Sequence, residues 1–522
     1  MTEQLPMLGG LEHLDSWGAD WAGLRVVVAG IGASGFAAAD TLVELGAKVA
    51  VVDGVDNEYN RERKQTLEIV GAVSVALGEE HVETLPTVDG DKPDLVIVSP
   101  GWRPTHPLLV EAREAGIPVW SEIELAWRVR DGRELAQPAE WLCVTGTNGK
   151  TTTVTMAAEM LRQDGFRAIA VGNVGTPVLD AIRDPEGFDV LVVELSSFQL
   201  HHTYSVSPLA STVLNIAEDH VDWHGGFEQY KADKAKIYER TKIAAIFNAE
   251  DPVTLTMVED ADVVEGCRGI GFTTKSPAVS MLGVVEDLLV DRAYIEERRT
   301  QAQELAQLSD LGPRPAHHTV ANALAAAALT RAAGINAEGV AAGLRAYDRG
   351  EHRIQTIAKA NGVTWVDDSK ATNPHAAHAA LAAYPTVVWI AGGLAKGVEY
   401  HELVQQHSHH LRAVVLIGTD TSALEEALSQ HAPDVPVLRT QVGETGEPTE
   451  VTPELGEAVM NQAVQYALSV AQEGDTVLLA PASASMDQFA SYAARGHAFA
   501  KAVTDALGNS TLGSSTLGNS TE

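Results

Sequence analysis

Val144-Thr145-Gly146-Thr147-Asn148-Gly149-Lys150-Thr151-Thr152 is the stretch that decides how the chain is read. Ahead of it, Trp141-Leu142-Cys143-Val144 has the apolar run of a short buried strand. Behind it, residues 151–162 carry apolar side chains at Val154, Met156, Ala157, Met160 and Leu161, a helical spacing. Strand, glycine turn, Gly-Lys-Thr and helix together make a phosphate cradle. Gly146 and Gly149 let backbone N–H groups turn toward phosphate oxygens, and the helix N-terminus adds positive partial charge. Lys150 is placed for the terminal phosphates and the Thr151 hydroxyl for Mg²⁺. The early glycine of the general G-x-x-x-x-G-K-[ST] pattern falls at Val144, so the loop is a shorter variant, G-T-N-G-K-T. An ordinary glycine turn has no need of the Lys-Thr pair, so a nucleoside triphosphate site is expected.

A second glycine loop precedes it. Arg25-Val26-Val27-Val28-Ala29 reads as a buried strand running into Gly30-Ile31-Gly32-Ala33-Ser34-Gly35, followed by a helix and a second strand ending at Asp53. G-x-G-x-x-G in a βαβ unit specifies a pyrophosphate cradle. By itself it leaves an NAD-dependent oxidoreductase open as a rival class.

Whole-chain properties narrow the classes. The 522 residues suit about three domains. Lys and Arg number 37 against 71 Asp and Glu, a net charge of −34, which argues against nucleic acid or an anionic membrane as partner. Small anions remain possible, because a few cations in one cleft outweigh distant, salt-screened charge. Two cysteines, Cys143 and Cys267, suit a reducing compartment. No secretory signal and no apolar run of spanning length is seen, so a cytoplasmic chain without membrane insertion is expected.

Farther along, predicted strands end in polar residues, where doubly wound sheets place ligands. Residues 94–98 lead to Ser99, and 188–193 lead to Glu194-Leu195-Ser196-Ser197-Phe198-Gln199, with Glu194 placed as a Mg²⁺ ligand or water-positioning group, or else a surface acid. Residues 211–216 lead to Glu218-Asp219-His220, where His220 is either a ligand or a loop histidine. Tyr230-Lys231-Ala232-Asp233-Lys234 reads by composition as a solvated helix face, and 274–315 as an irregular or inserted segment. Residues 363–366 lead to Asp368-Ser369-Lys370-Ala371-Thr372-Asn373, and 387–390 to a glycine loop with Lys396. Lys370 and Lys396 are thus placed to hold anions. The fold class expected is α/β in three domains: a Rossmann-like domain over 1–136, a central P-loop domain with a parallel sheet over 137–350, and a second Rossmann-like domain over 351–506. Residues 507–522 repeat a Leu-Gly-(Asn/Ser)-Ser-Thr unit three times and are expected to be disordered.

Together with Ser485-Met486-Asp487-Gln488-Phe489, these motifs in this order resemble the Mur ligase family over residues 20–505, most closely its D-glutamate-adding branch. The resemblance implies that ATP phosphorylates the free carboxylate of UDP-N-acetylmuramoyl-L-alanine and that D-glutamate then displaces the phosphate. It implies ATP contacts at Gly146, Thr147, Asn148, Gly149, Lys150, Thr151, Thr152, Asn322, Arg353 and Asp368. UDP-substrate contacts follow at Ala33, Ser34, Ser99, Asn173 and His220, and D-glutamate contacts at Lys370, Thr372, Lys396, Ser485, Met486 and Tyr492. Lys150, Glu194, His220 and Lys234 would carry catalysis. Two Mg²⁺ ions would sit among Thr151, Glu194, His220 and Lys234, with Lys234 carbamylated into an oxygen ligand that a hard cation prefers. A monomer is expected. Relatives adding other amino acids, such as folylpolyglutamate-type ligases, remain the alternative within the class. Departures stand at Gly54-Val55, where the family often shows Thr-Arg, at Thr319 for an asparagine, and at Tyr492 for a phenylalanine.

Overall fold

The computed structural model describes residues 9–132, 137–312, 315–348, 352–395, 398–441 and 451–513. They form two compact units: one runs to Ile216 and resumes from Trp223 to Tyr347, the other takes in Ala217–Asp222 and continues from Asp348.

The first unit holds two sheets. In the smaller, β1 (Arg25–Ala29), β2 (Lys48–Asp53), β3 (Ser74–Leu77), β4 (Leu95–Val98) and β5 (Val119–Ser121) lie in the order β3-β2-β1-β4-β5, all parallel. The order reverses between β1 and β4, and such a switch point opens a crevice at the strands' carboxyl ends. The loop at 30–35 and Ser99 both lie there. Gly35 is required by packing: a Cβ on it would stand 1.9 Å from the Gly30 carbonyl oxygen.

The larger sheet has nine strands: β6 (Glu140–Thr145), β7 (Ala168–Gly172), β8 (Val190–Glu194), β9 (Ala210–Val213), β10 (Ala244–Asn248), β11 (Arg268–Phe272), β12 (Met281–Val285), β13 (Leu288–Asp291) and β14 (Gln303–Gln307). Their order is β14-β13-β12-β11-β10-β9-β6-β8-β7, parallel as far as β12 and antiparallel beyond it. Here the structure corrects the reading of 274–315 as irregular. Leu282, Leu289 and Leu305 are buried in these three strands, yet the strands are only four or five residues long and polar segments separate them. The helix Lys150–Gln163 packs against His317–Ala332 and Ala337–Ala346. Residues 323–328, mostly alanine, are fully buried, so small side chains let the helices approach closely.

The second unit carries β15 (Gln355–Ala360), β16 (Val363–Asp367), β17 (Val387–Gly392), β18 (Leu411–Ile417), β19 (Val437–Arg439) and β20 (Thr476–Leu479). Their order is β15-β16-β20-β17-β18-β19, parallel except for the β15 edge. Helices Pro374–Leu381, His401–His407 and Ser422–His431 contribute to one apolar core, while Pro453–Val470 and Tyr492–Gly513 contribute to another. The last helix reaches Gly513, which corrects the expectation that residues 507–513 are disordered. Ala506 and Leu507 both pack against the apolar core, so burial continues past the expected boundary. Residues 514–522 lie outside the described residues.

Candidate active site

The glycine loop stands at the carboxyl end of β6. Gly146 and Gly149 take φ of +149° and +86°, values that favour glycine, and a Cβ on Gly149 would meet Asn322 Oδ1 at 2.4 Å. Asn322 is thereby set against the loop. Asn215, after β9, clamps it from the other side. Its backbone carbonyl accepts from Thr147 N at 3.0 Å, its Oδ1 accepts from Asn148 N at 2.9 Å, and its Nδ2 donates to the Asn148 carbonyl at 3.0 Å. Sequence reasoning missed Asn215, which the strand read over 211–216 contains, whereas the strand ends at Val213. Lys150 donates to the Gly146 and Thr147 carbonyls, both at 2.9 Å. The helix behind the loop begins Lys-Thr-Thr-Thr with no acid, leaving its positive end uncancelled. Thr151 and Thr152 stand half-buried there.

Glu194 ends β8, beside β6, and is 3% exposed. Its Oε1 accepts from Asn173 Nδ2 at 3.1 Å, and its backbone carbonyl accepts from Asn173 N at 2.9 Å. Its Oε2 is buried without a hydrogen-bond partner among the described residues. A free carboxylate oxygen in that position costs energy unless something positive meets it, which fits a divalent cation.

Lys234 overturns the solvated-face reading of its helix, Phe227–Ala235. It is 2% exposed, with Nζ 3.0 Å from the Gly146 carbonyl, 3.3 Å from Thr145 Oγ1 and 4.8 Å from the Tyr230 ring centre. Tyr230 OH in turn lies 2.9 Å from Thr147 Oγ1. The neighbouring lysines fit the surface reading better: Lys231 is half-buried and pairs with Glu228. Lys236 pairs with the buried Asp233, which also takes His201 Nδ1 at 2.8 Å and His224 Nδ1 at 2.9 Å. Burial opposes charge on Asp233, but the hydrogen bonds from His201 and His224, with Lys236 nearby, hold its carboxyl well below the usual range. The loop, Asn173, Glu194, Lys234 and Asn322 are therefore brought together in the first unit. His220 belongs to the segment grouped with the second, beside Asp219 and with φ of +53°.

At the smaller sheet, Ala33 and Ser34 open the helix behind the glycine loop, and Ser99 Oγ donates to the Gly30 carbonyl at 3.3 Å. Asp53 accepts from Ile31 N at 2.8 Å and Val55 N at 2.9 Å, so its carboxylate shapes the loop itself.

In the second unit Asp368 follows β16 and accepts from Ile354 N at 3.2 Å. Burial pushes its acid up to about 7, with Asp367 adding to the effect and Arg353 opposing it. Lys370 Nζ lies 3.4 Å from Tyr492 OH and 4.9 Å from that ring's centre, which supplies the partner the tyrosine hydroxyl needs. Arg495 donates to the Ser369 hydroxyl, the Ser369 carbonyl and the Ser483 carbonyl, tying together the loops that carry Lys370 and Ser485. Thr372 is half-buried, Ser485 buried, and Met486 67% exposed. Lys396 lies outside the described residues.

Three family descriptions match the chain: a Mur ligase MurD-like N-terminal domain at 24–121, a Mur ligase middle domain at 144–330, and a Mur ligase glutamate ligase domain at 352–483. A Streptomyces avermitilis protein named UDP-N-acetylmuramoylalanine–D-glutamate ligase is 52% identical over 484 residues, covering 93% of this chain and 98% of that one. One of the same name from Leifsonia xyli is 50% identical over 509 residues, covering 95% and 96%. Among solved structures, a pseudomurein peptide ligase type C from Methanothermus fervidus aligns with a TM-score of 0.55 at 17% identity, covering 92% of this chain and all of that one. The MurF ligase of Thermotoga maritima in complex with ADP aligns with a TM-score of 0.54 at 17% identity, covering 89% and 96%. These two likenesses concern the fold.

Proposed function

The chain belongs to the Mur ligase family, and we propose how its residues carry out the ligation that its relatives' name describes. The protein is an ATP-dependent ligase that adds D-glutamate to UDP-N-acetylmuramoyl-L-alanine in peptidoglycan synthesis. Two observations support the residue assignment: a buried, partly unpartnered Glu194 at the end of β8, beside β6, and a buried Lys234 whose Nζ donates to the Gly146 carbonyl of the glycine loop.

The substrate's terminal carboxylate attacks the γ-phosphorus of ATP, giving an acyl phosphate and ADP. The amine of D-glutamate then attacks the acyl carbon, and inorganic phosphate leaves as the amide forms. Phosphoryl transfer needs alignment and charge cancellation more than covalent help. Lys150 turns from the Gly146 and Thr147 carbonyls to the terminal phosphates, while backbone N–H groups of 146–152 and the helix N-terminus cradle the others. Asn322 takes the adenine side, with Arg353 and Asp368 as further nucleotide contacts. Glu194 and Thr151 would hold one Mg²⁺, and His220 with a carbamylated Lys234 a second. Bound there, the cations would offset the charge spreading over the phosphoryl oxygens. Carbamylation joins the neutral Lys234 amine to CO₂ with loss of one proton, turning a cation into an oxygen ligand. Asn173 orients Glu194 and faces the substrate with His220. Ala33, Ser34 and Ser99 hold the nucleotide end. Lys370, Thr372, Lys396, Ser485, Met486 and Tyr492 receive D-glutamate.

We assign the enzyme to the cytoplasm and read it as a monomer; no helix among the described residues is long and apolar enough to cross a membrane. The test is ATP-dependent phosphate release with UDP-N-acetylmuramoyl-L-alanine. D-glutamate should support it, and L-glutamate, L-lysine and diaminopimelate should not. Equal rates with another amino acid would overturn the substrate assignment.

A further inference from the structure

Asp233 stands directly before Lys234 in the helix Phe227–Ala235, and its carboxylate is fully buried. Two imidazoles converge on one of its oxygens: Oδ2 lies 2.8 Å from His201 Nδ1 and 2.9 Å from His224 Nδ1. The other oxygen, Oδ1, is taken by Lys236 Nζ at 3.0 Å and by Gln229 Nε2 at 3.3 Å. His224 is engaged on its far side as well, where Nε2 lies 2.9 Å from Ser197 Oγ. The two histidines and the aspartate come from three helices, Ser197–His201, Val221–His224 and Phe227–Ala235. Their ligand atoms lie within 4.8 Å of one another, and no other such group of three occurs among the described residues.

A hydrogen-bonded network is the simpler account, but the donor set and its surroundings also suit a transition metal. Two imidazole nitrogens and one carboxylate oxygen favour Zn²⁺ or Co²⁺ and suit Mg²⁺ poorly. Bonds of about 2.0–2.1 Å to a four-coordinate ion set its ligand atoms about 3.3 Å apart. Oδ2 and each Nδ1 therefore need to part by only about half an ångström to admit the ion. The protons balance, because each neutral imidazole moves its proton from Nδ1 to Nε2. His224 Nε2–H then donates to Ser197 Oγ, and His201, whose side chain is 21% exposed, gives its Nε2–H to water. Outer partners of this kind fix the tautomer of a ligating histidine. Lys236 opposes a cation, but it pairs with Oδ1 and leaves Oδ2 to the histidines, so it weakens the site without filling it.

We propose that His201, His224 and Asp233 bind one divalent transition-metal ion of the Zn²⁺ class, with water completing the shell on the His201 side. None of the three is among the Mg²⁺ ligands assigned above, so this is a separate site. Its ion would fasten the helix that carries Lys234 to the helix that follows Glu194, through His201 directly and through His224 and Ser197. The site stands independently of the ligation assignment, since metal binding is read directly.

The experiment titrates the full-length chain with Zn²⁺ and, separately, with Co²⁺, keeping Mg²⁺ in large excess, for wild type, His201→Gln and Ser197→Ala. His201→Gln keeps a hydrogen-bond donor for Asp233 but removes an imidazole, which separates metal binding from hydrogen bonding. Thermal unfolding without added metal checks that this variant, changed at the most exposed of the three ligands, folds as wild type does. Zinc held elsewhere, as at the paired His378 and His407 or His401 and His431, is common to all three proteins and cancels in the difference. Wild type should bind one equivalent that His201→Gln loses or holds at least ~10-fold more weakly, and Ser197→Ala should weaken the same equivalent by about 10- to 100-fold. Co²⁺ should give wild type the visible absorption of a four-coordinate imidazole complex, and His201→Gln should lack it. Zinc should also raise the Tm of wild type more than that of His201→Gln, because an ion that binds only the folded chain stabilises it. Equal zinc uptake and equal cobalt spectra in wild type and His201→Gln would overturn the site and leave the cluster a hydrogen-bonded network.

Discussion

Lys234 and Lys150 meet at one atom: the Gly146 carbonyl oxygen accepts from Lys234 Nζ at 3.0 Å and from Lys150 Nζ at 2.9 Å. Two ammonium groups on one carbonyl repel each other, and a bound triphosphate would draw Lys150 away while carbamylation would reverse the sign of Lys234. Either change would relieve that repulsion.

Removing Lys150 should be the most damaging single change at the loop. If Lys150 faces the transferring phosphoryl group as proposed, Lys150→Ala should lose at least ~10²-fold in kcat. Because Lys150 also braces its own loop, thermal unfolding should be measured beside turnover. Near-normal turnover from a well-folded variant would remove the phosphate assignment.

Asn215 should act on ATP binding rather than on chemistry. Asn215→Ala breaks the two side-chain hydrogen bonds to Asn148, each worth about 1 kcal/mol. The KM for ATP should rise by up to about thirtyfold while kcat at saturation changes less. An unchanged ATP dependence would show that the loop keeps its shape without the clamp.

Much of this arrangement is legible in the sequence, and the exceptions share a cause. Both glycine loops announce themselves because strand periodicity breaks at glycines that no other residue could replace, Gly35 and Gly149 among them. Glu194 and Asp368 are visible as acids ending apolar strands. Lys234 is not, because burial of a lysine depends on what packs over its helix, here Tyr230 and the β6 loop, and composition carries no trace of that. Asn215 hides for the same reason, since its partners Thr147 and Asn148 are distant in sequence. The β12–β14 strands are lost to brevity, and the last helix runs past the domain boundary expected at 506, where Leu507 still packs against the core.

Asp368 should trade stability for function in a pH-dependent way. Burial raises its folded acid from 3.8 to about 7, so the folded protein holds this proton more tightly than the unfolded chain. Its contribution is therefore intact below about pH 4 and is lost as pH rises through about 7. Asp368→Asn cannot titrate and its Oδ1 can still accept from Ile354 N. The variant's Tm should exceed wild type at pH 8.5 and the gap should shrink at pH 5, with up to about 4 kcal/mol at stake. Ligation should fall if the carboxylate contacts nucleotide. A gap that is the same at both pH values would show that the carboxyl does not titrate as stated.

Lys234 offers the sharpest test of the metal arrangement. If Lys234 carries CO₂, it presents an anionic oxygen to the second Mg²⁺, and without it that site would rest on His220, a nitrogen ligand that a hard cation accepts poorly. Lys234→Ala should then be nearly inactive. A small carboxylic acid at high concentration should restore part of the activity by filling the vacated position with an oxygen ligand. Lys231→Ala and Lys236→Ala remove charges held by Glu228 and Asp233, and neither should gain from added carboxylate. Loss of activity alone decides little, because Lys234 is also a buried donor to the Gly146 carbonyl and its removal disturbs the loop. Mass spectrometry of the intact wild-type chain under CO₂, with trapping of the labile adduct, gives an independent reading at this residue. Retained activity in Lys234→Ala, or equal carboxylate rescue of Lys231→Ala, would mean that the lysine acts as a packing group and that the second cation is held by other means.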